Sequence, residues 1–198
     1  MSKNLAKMSK KILAVLSAGS EEMEFTITVD ILRRAGVNVT VGGLEGSDPV
    51  TCSRQVVIVP DKALSDVSTE SFDGIFLPGG LVGAKNMCES KPLGELLKKL
   101  ESEGKVIAAI CAAPTALLAH SIGLGKSITS YPSTKDQLAG SYKYVDDQVI
   151  VQDGQLLTSR GPGTAMVFGL KLAEILVGME KSQEVAKGML LNGEYKLN

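Results

Sequence analysis

The chain has 198 residues, a net charge of −1 and 44% hydrophobic residues, enough apolar material to close one globular core. That balance supplies no basic field for nucleic acid or an anionic membrane, and no apolar run approaches a membrane span or opens a secretory signal. Three cysteines without a CxxC pair read as reduced thiols, a single histidine leaves no structural zinc site, and 4% aromatics with no tryptophan argue against stacking platforms.

Residues 1–9, rich in lysine and serine, read as a disordered lead-in, with a weak organelle-targeting signal as the alternative. Residues 10–198 read as a single domain. The run 12–16 (ILAVL) is a buried strand that ends in Ser17, Ala18, Gly19 and Ser20. Ser20 as cap, with Glu21 and Glu22 in the first turn, opens a helix that Gly36 closes. Residues 37–41 alternate as a second strand, 42–49 form a glycine-rich turn, and 50–52 with 55–59 form a small hairpin turning at Ser53 and Arg54. A polar connection over 61–72, with room for a short helix, leads to a buried strand at 74–77. Pro78, Gly79 and Gly80 end that strand and begin a loop to Ala84. Residues 91–103 carry Leu93, Leu96, Leu97 and Leu100 at helical spacing.

The stretch from Lys105 to Gly125 organises the rest. Residues 106–110 are a short buried strand, Pro114 opens a helix through Ala119, and Cys111 sits in the joint between them. A strand-to-helix joint in an α/β protein raises a side chain above the sheet and aims backbone N–H groups at it. The helix start favours a thiolate and predicts a lowered thiol pKa. Small flanks at Ala109 and Ala113 suit a nucleophile elbow, although alanine instead of glycine at 113 predicts a milder turn. A buried structural cysteine fits the same pattern. Beyond it, 127–130 lead into Tyr131 and Pro132, 133–138 is a short helix, and 144–151 with 155–158 form a hairpin around Asp153-Gly154. Residues 164–177 are a long apolar helix and 183–191 a last short one.

Alternating strands and helices predict an α/β fold, a flavodoxin-like doubly wound sandwich with a mostly parallel central sheet. Three loops should meet beside Cys111, at 17–24, 78–84 and 159–164. Gly79 and Gly80 either present N–H groups to a substrate oxygen or simply turn the chain. Among Glu21, Glu22 and Glu24, Glu24 lies one turn into the helix. A carboxyl there, facing a thiolate, would be pushed toward its protonated form. His120 reads as structural, and the missing GxGxxG removes a dinucleotide site.

The stretches EEME at Glu21, VDILRRAGV at Val29, LPGG at Leu77, AAICAAPTALLAH at Ala108 and LTSRGPGT at Leu157 resemble, in the same order and spacing, the ThiJ/PfpI superfamily. The resemblance covers about 10–177. It implies a homodimer in which Cys111 is the redox-sensitive nucleophile and Glu24 its protonated, hydrogen-bonded partner. It places Gly79, Gly80 and the N–H of Ala112 around the substrate oxygen, Arg34 and Arg54 beside the site near the dimer contact, and Pro162 in the pocket lining. The implied activities need no cofactor. They are glutathione-independent conversion of methylglyoxal and glyoxal to hydroxy acids, and deglycation of protein or nucleotide adducts. The alternative is a redox sensor, oxidised at Cys111 to sulfinate, with redox-dependent chaperoning of client proteins and incidental turnover. The implied location is cytoplasmic, with nucleus and mitochondrion as further sites.

Two positions depart from that family's pattern. Tyr131 stands where the family often has a histidine. A phenol with a pKa of about 10 is no base at neutral pH, which leaves proton transfer to Glu24. Ala112 follows the cysteine where the protease-like branch has a histidine, so a protease reading loses its base.

Overall fold

A computed structural model describes residues 9–191 of the chain. The expected lead-in, 1–9, lies outside the described residues apart from Ser9. Strand β1 (Lys11–Leu16) is buried from Ile12 onward. Its side chains alternate between two cores: Ile12, Ala14 and Leu16 enter one, Leu13 and Val15 the other. Helix α1 (Glu22–Arg34) returns the chain to β2 (Asn38–Gly43), parallel to β1. Strands β3 (Val50–Thr51) and β4 (Val57–Ile58) pair off the main sheet, and β5 (Lys62–Ala63) leads into α2 (Leu64–Val67).

Strand β6 (Gly74–Leu77) is followed by α3 (Leu81–Glu89) and α4 (Lys91–Ser102), then by β7 (Val106–Ile110) and α5 (Pro114–Ala119). Strand β8 (Ser127–Ile128), α6 (Lys135–Leu138) and β9 (Lys143–Tyr144) make a small side layer. The hairpin of β10 (Ile150–Asp153) and β11 (Leu156–Ser159) precedes α7 (Ala165–Val177) and α8 (Met179–Gly188).

The seven-stranded sheet runs β10-β11-β7-β6-β1-β2-β5, parallel except for β10. Helices α1, α7 and α8 cover one face and α2 to α6 the other, so the flavodoxin-like doubly wound sandwich is the observed architecture. Phe25, Phe76 and Phe168 join α1, β6 and α7 with centroids 6.3 and 5.7 Å apart, each pair contributing roughly 0.5–1.5 kcal/mol beyond burial. The strand order reverses at β1, which leaves a crevice above the carboxyl ends of β1, β6 and β7, where α/β proteins bind ligands. Among the described residues no helix is long and apolar enough to cross a membrane.

Several local expectations change. The cap of α1 is Glu21, whose carboxylate accepts from the Glu24 N–H at 2.8 Å; the Ser20 hydroxyl instead accepts from the Ser17 N–H. The loop expected over 78–84 stops at Gly80, and α3 begins at once. Its Gly83 reads as a loop residue in sequence, yet a Cβ there would lie 2.9 Å from the Ser20 backbone, so the helix needs it for close approach. The strand expected over 144–151 splits into β9 and β10 around exposed Asp146 and Asp147. Helix α8 starts at Met179 rather than 183. Strand β5, read as part of the polar connection, is a two-residue edge of the sheet.

Candidate active site

Cys111 follows β7 with φ of +63°, a left-handed conformation that a non-glycine residue adopts only when its surroundings force it. Both of its backbone groups are held. Its N–H donates to Ser159 O at 3.0 Å, continuing the pairing with β11, and its carbonyl accepts from Tyr131 N at 2.8 Å. The turn is therefore a full elbow and not the milder one expected from Ala113. Ala109 and Ala113 are both wholly buried, so small flanks suffice without glycine.

Behind the sulfur lies Glu24. Its side chain is fully buried, and Oε2 accepts from the Gly79 N–H at 2.7 Å. Oε1 is buried without a hydrogen-bond partner, and the Glu24 carboxyl interacts with the Cys111 side chain. Gly79 makes this approach possible. A Cβ there would sit 2.5 Å from the cysteine Cβ, 2.7 Å from Glu24 Oε2 and 2.9 Å from the sulfur. The Gly79 carbonyl also accepts from the Glu21 N–H at 3.0 Å, which clamps the β6 turn to the start of α1.

Burial dominates the electrostatics of this pair. It pushes the Glu24 carboxyl up to about 7, against the pull of the Gly79 N–H and the Cys111 side chain, while the charge of Glu21 raises it further. Burial likewise pushes the Cys111 thiol up to about 12, with a charged Glu24 adding to the rise and the N–H groups of Gly80 and Ala112 opposing it. The lowered thiol pKa expected from the helix start is thus corrected: desolvation and the facing carboxylate outweigh a short helix. The two groups are coupled: a protonated Glu24 removes the charge that opposes a thiolate at Cys111.

A stability prediction follows from Glu24. Its folded value of about 7 exceeds its ordinary 4.5, so its contribution is complete below 4.5 and is lost as pH rises through about 7. Between pH 4.5 and 8, urea unfolding of the parent protein should lose about 3 kcal/mol relative to Glu24→Gln. Parallel pH profiles for the two proteins would remove Glu24 as the source.

The sulfur opens on a cleft of ≈ 360 Å³ whose lining includes Gly80, Arg54, Tyr131, Pro162, Leu81 and Val82. Five residues named from the sequence thus meet here: Cys111, Gly80, Arg54, Tyr131 and Pro162. Glu24 stands behind the sulfur, outside the lining, and Ala112 contributes its N–H. Gly79 is reassigned, because its N–H is spent on Glu24 and leaves Gly80 and Ala112 as the donors near the sulfur. Arg34 does not line the cleft. It lies at the far end of α1, about 18 Å along the helix from Glu22, with its guanidinium on Asp30 at 2.6 Å. His120 contacts the Met87 carbonyl at 2.9 Å and packs against Gly94, between α3 and α4.

The sequence places Glu22 in the first turn of a helix, a position that is ordinarily solvated, yet it is 6% exposed and organises the cleft rim. Its carboxylate accepts from the Ser53 hydroxyl at 2.9 Å and the Arg54 N–H at 2.7 Å, which fixes the hairpin tip on α1. No sequence signal reveals a pairing across some thirty residues. For Leu81 and Val82 a signal did exist: two apolar residues directly after a PGG turn.

The DJ-1/PfpI family model matches residues 10–175. The chain is 58% identical over 184 residues to protein dj-1beta of Drosophila melanogaster, covering 93% of this chain and 98% of that one. It is 40% identical over 188 residues to the glutathione-independent glyoxalase DJR-1.2 of Caenorhabditis elegans, covering 94% and 99%. The crystal structure of Drosophila melanogaster DJ-1beta superposes with a TM-score of 0.92 over 92% of this chain and 98% of that one. Sequence and backbone agree over nearly the whole length, and on that ground the chain belongs to the DJ-1/PfpI family.

Proposed function

We propose that this protein is a cysteine-dependent enzyme that converts 2-oxoaldehydes such as methylglyoxal and glyoxal to 2-hydroxy acids without glutathione, and that the same thiol acts on glycated adducts. The observation that carries the reading is a sulfur on a cleft floor, coupled to a buried carboxyl poised at about 7. That value suits a general base and acid at neutral pH. The glyoxalase among the relatives supports the same chemistry.

The atoms balance as follows. The Cys111 sulfur bonds to the aldehyde carbon while its proton passes to the Glu24 carboxylate, and the aldehyde oxygen takes up a proton to give a hemithioacetal. The Gly80 and Ala112 N–H groups steady the developing negative charge. Glu24, ionised again once its proton has gone to the aldehyde oxygen, removes the proton from that carbon to leave an enediolate. The proton is returned to the neighbouring carbon, and the hemithioacetal hydroxyl proton passes to the oxygen on that neighbouring carbon, which yields the thioester of a 2-hydroxy acid. Water then breaks the C–S bond, releasing the acid and restoring the thiol. The test is dicarbonyl consumption and hydroxy-acid formation by the purified protein, read together with the Cys111 and Glu24 variants. Homodimerisation and cytoplasmic residence belong to the same proposal; exposed Met23, Val56, Val57 and Val59, on α1 and the hairpin it holds, support a subunit contact.

A second reading, a peroxide sensor, is favoured by one observation: Cys111 lines the cleft with backbone donors at its sulfur, whereas Cys52 is 2% exposed and is not part of that lining. The Cys88 thiol is half-buried, raised by burial, and donates to Thr115 Oγ1. Mild peroxide should add two oxygens at Cys111 and spare the other two cysteines, as read by peptide mass. Equal oxidation of Cys88 would remove the sensor reading.

A further inference from the structure

The cleft is larger and more apolar than a three-carbon dicarbonyl requires. Its ≈ 360 Å³ falls within the range of pockets that enclose ring-bearing ligands. Leu81, Val82 and Tyr131, which line it beside Pro162, are 69%, 59% and 44% exposed, so a concave apolar wall stands open next to the reactive sulfur. The backbone of Tyr131 is held through both its N–H and its carbonyl. Its N–H donates to the Cys111 carbonyl at 2.8 Å, and its own carbonyl accepts from the N–H and hydroxyl of Thr134, each at 2.9 Å. Its ring lies against Gly161, where a Cβ would come within 3.4 Å of Cδ2. Among the described residues no hydrogen bond fixes its hydroxyl, so the ring face is what the side chain offers a ligand.

We infer that the site prefers 2-oxoaldehydes whose ketone carbon bears an aryl or similarly bulky apolar group, with Tyr131 as the side chain that selects it. The inference rests on the dicarbonyl reading above. With the aldehyde carbon bonded to Cys111, the substituent on the neighbouring carbon lies along Tyr131 and Pro162. One aromatic contact of this kind is worth up to about tenfold in discrimination.

The test measures kcat/KM for phenylglyoxal and for methylglyoxal in the parent protein, Tyr131→Ala and Tyr131→Phe. The phenylglyoxal-to-methylglyoxal ratio should exceed unity in the parent, fall about tenfold in Tyr131→Ala and persist in Tyr131→Phe. A second readout needs no turnover. The rate of Cys111 capture by phenacyl chloride against chloroacetone is measured by peptide mass, each rate corrected by that of free N-acetylcysteine. Dicarbonyl turnover absent but a capture ratio that collapses in Tyr131→Ala would uphold the apolar wall and overturn the enzymatic reading alone. A capture ratio unchanged in Tyr131→Ala, with its thermal midpoint preserved, would overturn the inference itself. So would a ratio that also collapses in Tyr131→Phe.

Discussion

Cys111→Ser should slow methylglyoxal consumption by at least about 10³-fold while leaving the fold intact. Serine differs by one atom and adopts the same φ of +63° under the same restraints, since the Ser159 and Tyr131 contacts involve only backbone. What changes is the nucleophile. A hydroxyl holds its proton far more tightly than a thiol, and a Glu24 carboxylate poised at about 7 is too weak a base to take it. Lactate formation, followed enzymatically or by proton NMR, checks the outcome, with a melting curve to show the structure survives. Near-parental turnover in a folded variant would end the covalent scheme.

The second large effect is at Glu24. Glu24→Gln should lower kcat/KM by about 10²–10⁴, the usual weight of a positioned acid–base group. The amide keeps the shape, and its oxygen still accepts from the Gly79 N–H. It has no titratable proton to transfer to or from the sulfur or the adduct. The pH dependence sharpens the test. In the parent protein the base form of Glu24 exists above about 7, so kcat/KM should climb through that value and then level off. In Glu24→Gln that limb should vanish along with most of the rate. A variant that keeps the limb would assign it to another group. Burying a carboxylate costs stability that an amide does not, so above pH 7 this variant should be inactive yet more resistant to urea. That combination separates a loss of chemistry from a loss of fold.

Much of the sheet is legible because its strands are short apolar runs bounded by small residues. Residues 74–77 and 106–110 coincide with β6 and β7, and Pro114 opens α5 where proline is tolerated. Helix α3 is missed for a physical reason. It begins with no side-chain cap, directly on a glycine at φ of +86°, and it carries an internal glycine that ordinarily argues against a helix. Its stability comes from packing: Gly83 lets it lie against the Ser20 backbone, while Ala84 and Met87 are buried. The error at Ser20 has a similar origin, since its hydroxyl is taken by the Ser17 N–H in the preceding turn.

The site divides in the same way. Cys111 at a strand-to-helix joint can be read from local sequence, and its resemblance to a known family brings in Glu24, Arg54, Tyr131 and Pro162. The protonation of the pair cannot be read locally. A helix start alone lowers a thiol pKa, but the burial of Cys111 and the carboxyl brought against it from α1 reverse that sign.

By itself, the order of apolar and small residues determined the parallel sheet, the two helical layers and the placement of the cysteine at the sheet's carboxyl edge. Those features depend on spacing within a few residues, which the chain carries locally. Only the tertiary structure decided that Gly79 serves Glu24, that Arg34 pairs with Asp30 at the far end of α1, that Glu22 fixes the hairpin tip, and that a buried carboxyl faces the sulfur. Apart from the Arg34 pair, each of these depends on groups distant in sequence coming together in a volume from which water is excluded. Hydrogen bonding and desolvation energies there are set by three-dimensional neighbours.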